Sequence, residues 1–248
     1  LIILFTIRER KLEAEMKAYE AAHPEQDLTV TATDTGSKVL PKEVKRSLGF
    51  LLCSIALWFA GYNGVTTWFS SYATKVWGMA EGDATFCLTI ATVGAIISYM
   101  PVGIIASKVG RKKTIIFGTI LLASSFFAGF LYTIFAEEFS PLLYVLFAMI
   151  GIAWASINVN SLPMVVEMCK ESDIGKFTGY YYTFSMAAQI ITPILSGVLS
   201  DLLGDNVLFP YAAFFAAASC VTMIFVRHGD SKPEASKNAL EQFEGDVE

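Results

Sequence analysis

The chain has 248 residues, of which 54% are hydrophobic and only 17% charged, and its formal net charge is −5. Soluble domains carry about 25% charged residues, so this balance excludes an ordinary soluble protein and favours a membrane protein. The polar segment before residue 48 holds equal numbers of acidic and basic residues, which gives no support for nucleic-acid binding.

The N-terminal stretch LIILFTI has the composition of an apolar helix end. We expect residues 1–7 to be the cut end of a preceding transmembrane helix, so that the chain is a fragment. Residues 8–47 are expected to form a cytoplasmic linker, in which RERKLEAEMKAYEAA favours a charged surface helix and HPEQDLTVTATDTGSK favours disorder. Residues 229–248 are expected to form a polar cytoplasmic tail.

Six runs without charged residues follow the linker, at 48–70, 84–106, 114–136, 141–166, 177–199 and 207–226. Each has about 20 residues or more, enough at about 1.5 Å per residue to cross a hydrocarbon core about 30 Å thick. Helices satisfy their own backbone groups in lipid. The sequence therefore predicts an all-α membrane protein with a six-helix domain at 48–228.

Basic residues indicate the orientation. Seventeen of the 18 lysines and arginines fall in alternate connections, and only Lys75 falls elsewhere. By the positive-inside rule these connections are cytoplasmic. We expect an integral protein of the cytoplasmic (plasma) membrane, with both ends of the chain inside and the loops at 75–83, 137–140 and 201–207 outside.

Two three-helix units share a pattern of small and polar residues where the middle helix ends. The matched positions, offset by 94 residues, are Gly103 with Gly197, Ser107 with Asp201, and Gly110 with Gly204. The first copy lies in a basic loop and the second in an acidic one, as opposite membrane sides require. This favours a 3+3 inverted repeat, typical of transporters, over two unrelated glycine-rich helix ends. We expect the glycines to permit close helix packing.

Polar side chains recur on one helix face in three of the spans. The stripes comprise Asn63, Thr66, Thr67, Ser70 and Thr74 in the first span; Thr178, Tyr181, Tyr182, Ser185, Gln189, Thr192 and Ser196 in the fifth; and Trp154, Asn158 and Ser161, with Ser156, Asn160 and Pro163 nearly opposite, in the fourth. Unpaired polar groups are costly in hydrocarbon, so these stripes face protein or water. Pro163 also frees the carbonyl of Val159.

Uncharged recognition is the chemistry that these residues predict. No ionisable Asp, Glu, Lys, Arg or His lies inside the six spans, so we expect a small uncharged solute, a sugar above all, with Trp154 or Trp68 stacking on it. We favour Asn158 over Asn160 at the cavity; the alternative is that these amides only join helices. The predicted solute-binding residues are Asn63, Thr67, Ser70, Trp154, Asn158, Tyr181, Ser185 and Gln189.

Catalytic and metal sites are not predicted. His23 and His228 lie in polar segments, and neither an H-E-x-x-H motif nor a nucleophile–base pair is present. The four cysteines form no CxxC pair and are expected to be buried small hydrophobes. We expect no enzyme, no catalytic residue, no metal and no cofactor.

The loop ASKVGRKK resembles the signature D-R-x-G-R-R-[RK] of the major facilitator superfamily. Gly110, Arg111, Lys112 and Lys113 match it, whereas Ser107 stands at its acidic position. GVTTWFSSYATKVWG, GIAWASINVNSLP and GKFTGYYYTFSMAAQ resemble segments in the C-terminal halves of sucrose-type and glycoside–pentoside–hexuronide:cation symporters.

This resemblance implies helices seven to twelve of a twelve-helix carrier, with the third helix of each unit outside. It implies cation-coupled symport of a sugar or glycoside, with H⁺ or Na⁺ as coupling ion and the coupling acid in the missing N-terminal half. A conformational gate is expected at Gly103, Gly110, Arg111, Lys112, Lys113 and Asp201, although the basic residues could equally be topology anchors. Glu167 is expected to be a gate or loop ion-pair residue.

Two other functions remain possible from the sequence. A major facilitator exporter of drugs or other small metabolites would show a more apolar cavity or a charge in mid-span. A receptor or structural membrane module would need neither inverted repeats nor converging polar stripes.

Overall fold

The computed structural model describes residues 40–135, 140–169 and 173–230. In these ranges the chain forms α1 (Lys42–Trp77), α2 (Glu81–Val109), α3 (Arg111–Phe135), α4 (Leu142–Val166), α5 (Ile174–Leu203) and α6 (Leu208–Ile224), with a 3-10 turn at Asp205–Val207 before α6. All six helices are long and apolar enough to cross a membrane. The prediction of six spans is confirmed. The predicted residues 1–7, residues 8–39 of the linker and the tail beyond 230 lie outside the described residues.

Glycines with positive φ end the first two helices and α5. Gly78 has a φ of +62° and its N–H bonds the Ala73 carbonyl. Gly110 and Gly204 have φ values of +109° and +89°, and each N–H bonds the carbonyl four residues back at 2.9 Å. A side chain is strained in this conformation, so glycine is favoured. The packing role predicted for Gly204 is wrong, because no neighbouring atom lies within 4 Å of where its Cβ would be.

Helix packing follows a two-fold pattern. α1 packs mainly against α5 and α6, α4 packs mainly against α2 and α3, and α3 packs against α6. Exchanging α1 with α4, α2 with α5 and α3 with α6 leaves this pattern unchanged. The predicted 3+3 inverted repeat is confirmed, and the matched glycines are not unrelated helix ends.

Small residues bring equivalent helix pairs equally close. A Cβ on Gly61 of α1 would lie 2.9 Å from the Ala212 carbonyl oxygen of α6, and a Cβ on Gly118 of α3 would lie 2.9 Å from the Ala153 carbonyl oxygen of α4. The sequence offset of 94 residues relates Gly118 to Ala212. The repeat therefore extends from the helix ends to close contacts inside the bundle.

The bundle has two chemically different ends. The basic end contains the start of α1, the α2–α3 and α4–α5 connections and the end of α6; the opposite end contains the remaining connections. α1 is largely buried, whereas α2 and α5 expose most of their apolar surface. The described residues thus leave this apolar surface of α2 and α5 exposed, and we call it the uncovered face.

Candidate functional site

Two aromatic rings stack where α1 and α4 meet near the middle of the bundle. The ring centroids of Tyr62 and Trp154 are 3.8 Å apart and their planes differ by 11°. Phe59 contacts the indole of Trp154 edge-on, with centroids 5.1 Å apart. Tyr62 and Trp154 are half-buried. The stack therefore fixes the orientation of an indole that remains partly accessible.

A hydrogen bond joins α4 to α5 about one turn nearer the basic end. The Tyr181 hydroxyl donates to Asn158 Oδ1 at 3.3 Å, and Ser161 Oγ lies 3.2 Å from the same hydroxyl. Tyr181 is only 5% exposed, whereas Asn158 is half-buried. This bond places an amide at the boundary between the packed interior and the uncovered face.

Asn160 points into the protein rather than to this boundary. It is 2% exposed, and its Nδ2 donates to the Ser156 carbonyl at 2.9 Å. Ser156 is also buried, and its hydroxyl donates to the Ile152 carbonyl. Of the two polar rows predicted on α4, the one with Asn158 is thus the more accessible, although contact with a solute stays a prediction.

A tyrosine of α2 lies near both the aromatic stack and the Tyr181–Asn158 hydrogen bond. Tyr99 is half-buried and lies within electrostatic range of both Tyr62 and Tyr181. Four helices therefore contribute to one group of aromatic, amide and hydroxyl side chains, which we call the central cluster: Tyr62, Tyr99, Trp154, Asn158 and Tyr181. A cavity of about 260 Å³ adjoins it and is lined by Tyr62, Val65, Thr66, Leu88, Ala91, Thr92, Phe126, Phe147 and Ile150.

The residues predicted on α1 are placed less centrally. Asn63 is half-buried and its amide donates to the Phe59 carbonyl of its own helix at 2.8 Å. Thr67 is exposed and Ser70 is half-buried. The indole N–H of Trp68 donates to the Pro193 carbonyl at 3.1 Å, so this ring covers the seam between α1 and α5.

The stripe predicted on α5 divides into two faces. Ser185 is 1% exposed and its hydroxyl donates to the Tyr182 carbonyl, so it lies on the packed side with Tyr181. Gln189 is exposed, and its amide donates to the Ser185 carbonyl at 3.3 Å. The structure therefore groups Trp154, Asn158 and Tyr181 and leaves the other predicted residues outside that group.

The predicted gate residues lie at both ends of the bundle. At the basic end, Arg111 forms an ion pair with Glu167, and Lys113 is exposed. Lys112 Nζ donates to the carbonyls of Ile224 and Val226 at the end of α6.

Asp201 is exposed at the opposite end, in a cleft beside the Lys75–Asp205 ion pair, whose charged atoms are 3.5 Å apart. Gly103 lies within α2, where a Cβ would approach Val159 at 3.8 Å.

Metal-ligand clusters are absent from the described ranges: no three His, Cys, Asp or Glu side chains there are placed to share an ion. The cysteines in these ranges are free. Cys87 and Cys169 are buried as predicted, and Cys220 is half-buried. Cys53 is exposed on α1, so its predicted burial is wrong.

The sequence model of the Major Facilitator Superfamily matches residues 51–245, which is most of the chain. The chain belongs to this superfamily. It is therefore an integral membrane protein of a transporter family rather than an enzyme, as the sequence predicted.

A relative within the superfamily is the uncharacterized MFS-type transporter MJ1317 of Methanocaldococcus jannaschii. It is 27% identical over 127 residues, and the match covers 51% of this chain and 30% of the relative. The chain thus spans less than a third of that protein.

Two tyrosines of the central cluster, Tyr62 and Tyr99, are not among the residues that the sequence predicts. Tyr62 is next to the predicted Asn63, and Thr66, one turn later, was already part of the polar stripe. Tyr99 follows Thr85, Thr89 and Thr92 at helical spacing on one face of α2. That spacing was the available evidence for a further polar row.

Proposed function

We propose that this chain is the C-terminal half, helices seven to twelve, of a carrier that transports a sugar or glycoside together with H⁺ or Na⁺. The observation that supports it best is the central cluster, where the Tyr62–Trp154 stack lies beside the Asn158–Tyr181 hydrogen bond. A sugar presents an apolar ring face and hydroxyl groups that both donate and accept. Aromatic faces and amide or phenol groups are the matching partners.

The charge distribution supports an uncharged solute. The residues of this cluster lie in spans that carry no Asp, Glu, Lys, Arg or His. An ion in low-dielectric surroundings needs a countercharge or several dipoles, and a charged solute would normally leave such a residue in a span. The matching proposal for coupling is that the ion binds in the other half of the carrier, as the resemblance to symporters implies.

Exposure of α2 and α5 supports the proposal that a second half covers this one. Their exposed apolar side chains include Ile96 and Ile97 on α2 and Ile190 and Ile194 on α5, each more than half exposed. Alternating access requires two halves that move about a shared site. The central cluster would then lie between them, with the basic end facing the cytoplasm.

A second candidate is export of a drug or other apolar metabolite. The cavity beside Tyr62 favours it, because most of its lining is apolar, with Leu88, Phe126 and Phe147 among the residues that line it. An apolar solute would gain from burial there without needing the Asn158 amide.

Uptake by membrane vesicles that contain the full-length carrier tests the choice. A panel of labelled mono- and disaccharides is offered with and without an imposed proton or sodium gradient. We expect one sugar to accumulate only with one of the gradients. Asn158→Ala should lower this uptake about tenfold, since the neutral hydrogen bonds between the amide and the solute are lost, about 1.4 kcal/mol together.

Asn206→Ala is the matched control, because Asn206 is exposed in the turn before α6 at the opposite end. It should leave uptake unchanged. Movement of lipophilic cations without uptake of any sugar would replace the symporter proposal with the exporter.

A further inference from the structure

α3 begins with a concentration of positive charge. Its first three residues are Arg111, Lys112 and Lys113, and the preceding Gly110 has no side chain with which to cap the helix. A helix N-terminus already carries about half a positive charge and unpaired N–H groups. Ser107, at the acidic position of the loop signature, bonds the Ile104 carbonyl of its own helix. Glu167 pairs with the Arg111 side chain, which leaves the backbone N–H groups at this end to another acceptor.

Asp230 provides that acceptor from the segment after α6. Its Oδ1 accepts a hydrogen bond from the Lys112 backbone N–H at 3.0 Å, across 118 positions of sequence. Both of its carboxylate oxygens lie 3.2 Å from where a Cβ on Gly110 would be. Its charge also acts on Arg111. Asp230 thus caps α3 as a side chain in the N-cap position would.

Further contacts hold the segment 226–230, which we name the clasp. The Ser47 hydroxyl oxygen at the start of α1 accepts from the Arg227 N–H at 3.1 Å and lies 2.8 Å from His228 Nδ1. Gly229 has a φ of +81°, and a Cβ there would collide with the Met164 carbonyl of α4. The clasp therefore contacts α1, α3 and α4 at the basic end.

We propose that Asp230 is the acidic partner that the 107–113 loop lacks, and that it holds the clasp closed over the basic end of the bundle. Asp230 is a positioning residue, because it acts through the N-terminus of α3. This inference is independent of which solute the carrier transports.

Cys169 offers a native reporter of the clasp. It is 4% exposed and follows Met168, whose methyl carbon lies 2.9 Å from where a Cβ on Gly229 would be. Burial, with a smaller contribution from Asp173, raises the pKa of the Cys169 thiol to about 11. The thiol is therefore protonated and slow to alkylate at neutral pH, so faster alkylation reports release of the clasp.

The test measures alkylation of Cys169 and thermal stability in the full-length protein, with labelled peptides resolved by mass spectrometry. Asp230→Asn keeps an oxygen that can accept from the Lys112 N–H but removes the negative charge that faces the helix N-terminus and its basic residues. It should therefore raise the alkylation rate about tenfold and lower the melting temperature. Adding Ser107→Asp to this variant should restore the melting temperature but not the protection of Cys169. The new carboxylate would lie on α2 and would anchor nothing in the clasp.

Asp83→Asn is the matched control, an exposed carboxylate in the first turn of α2 at the opposite end. It should lower the melting temperature only slightly and should leave the protection of Cys169 unchanged. Unchanged protection in Asp230→Asn would overturn the closing role. Failure of Ser107→Asp to restore stability would overturn the assignment of Asp230 as the partner of the loop.

A variant with the carboxylate intact keeps the test valid if Asp230→Asn does not fold. Gly229→Ala displaces the clasp by collision with α4. It should expose Cys169 to alkylation at pH 7. Continued protection of Cys169 in this variant would also overturn the proposal.

Discussion

At the scale of single residues, the hydrogen bond between Tyr181 and Asn158 joins a buried side chain to one that is partly accessible. Tyr181 is fixed in the packed interior, and the amide that it contacts lies at the edge of the uncovered face. Hydrogen bonds between transmembrane helices contribute only about 0.6 kcal/mol on average, so this bond orients the amide more than it stabilises the fold. The Asn158 amide keeps a second lone pair and two N–H donors, with which it can bond a solute hydroxyl while the Tyr181 hydroxyl still orients it.

Replacing Tyr181 by Phe removes this donor and keeps the ring. We expect the KM for the transported solute to rise about fivefold, because Asn158 then lacks the contact that orients it, a loss of about 1 kcal/mol. Initial rates of uptake over a range of solute concentrations measure this.

Tyr180→Phe is the matched control, since Tyr180 is exposed and lies beside Lys176 on the neighbouring face of α5. Equal changes of KM in the two variants would show that the Tyr181 hydroxyl has no special role.

At the scale of elements, hydropathy predicts where helices occur better than which faces they present. All six predicted runs are helices, because an uncharged run of this length in lipid has no other way to pair its backbone groups. α1 nevertheless begins at Lys42, six residues before its predicted span, because polar residues outside the hydrocarbon can also be helical. Pro41 precedes its first residue, and Gly78 ends it. The uncharged runs therefore predict which residues cross the bilayer, whereas the ends of the helices depend on residues such as glycine that change the backbone conformation.

The polar stripe of α5 shows the limit of periodicity. Successive residues differ by about 100° around a helix, so Tyr181 and Tyr182 lie on either side of one boundary. Tyr181 is buried and Tyr182 is exposed. The spacing predicted a polar face, but only the neighbouring helices determine which part of that face is covered. The spacing predicts an accessible Ser185, but this side chain is buried, because the neighbouring helices cover its part of the face.

Gly151 controls how closely α2 and α4 pack. A Cβ there would collide with the carbonyl of Ala91, a backbone group that cannot rotate away. Gly151→Ala should destabilise the fold by about 2 kcal/mol, because overpacking outweighs the gain of about 1 kcal/mol in helix propensity. Thermal unfolding in detergent measures the difference.

The control is Gly179→Ala, at a helical position of α5 with no neighbouring atom within 4 Å of a Cβ. It should be neutral or slightly stabilising. A stable Gly151→Ala variant would mean that α2 and α4 can separate freely.

At the scale of the whole molecule, the two-fold relation between the units explains why the same glycine recurs. Gly110 and Gly204 end equivalent helices with the same hydrogen bond and similar backbone angles. Their surroundings differ, since the Asp230 carboxylate lies against Gly110, whereas none of the described neighbouring groups lies within 4 Å of where a Cβ on Gly204 would be. The repeat therefore conserves the backbone turn and not the chemistry around it.

Alanine at either glycine tests this relation. Each substitution should destabilise the fold by about 1–3 kcal/mol, because a side chain is strained at positive φ, and Gly110→Ala should cost more because it also displaces Asp230. Melting temperatures of the two variants, compared with Gly49→Ala, measure the costs. Gly49 lies in α1 with open space around it. A harmless Gly204→Ala would refute the backbone role.

Long-range contacts were beyond prediction. The sequence predicted the number of spans, the repeat and the most accessible polar row of α4, all of which depend on composition and local spacing. It could not predict that Asp230 caps α3 or that Tyr99 approaches Tyr181, because these pairs are joined only by the packing of distant helices. The sequence predicted Glu167 as an ion-pair residue, and it pairs with Arg111 of the basic loop, whereas the contact of Asp230 with this loop was not predicted.

The hydrogen bonds of Ser47 with residues 227 and 228 bring the second turn of α1 beside the segment that directly follows α6. A short peptide could join the segment after α6 to the start of α1. The order of the two three-helix units along the chain could then be exchanged without moving any helix. A circular permutant that starts at α4 and rejoins α6 to α1 would keep every helix contact and simply exchange the order of the two repeats.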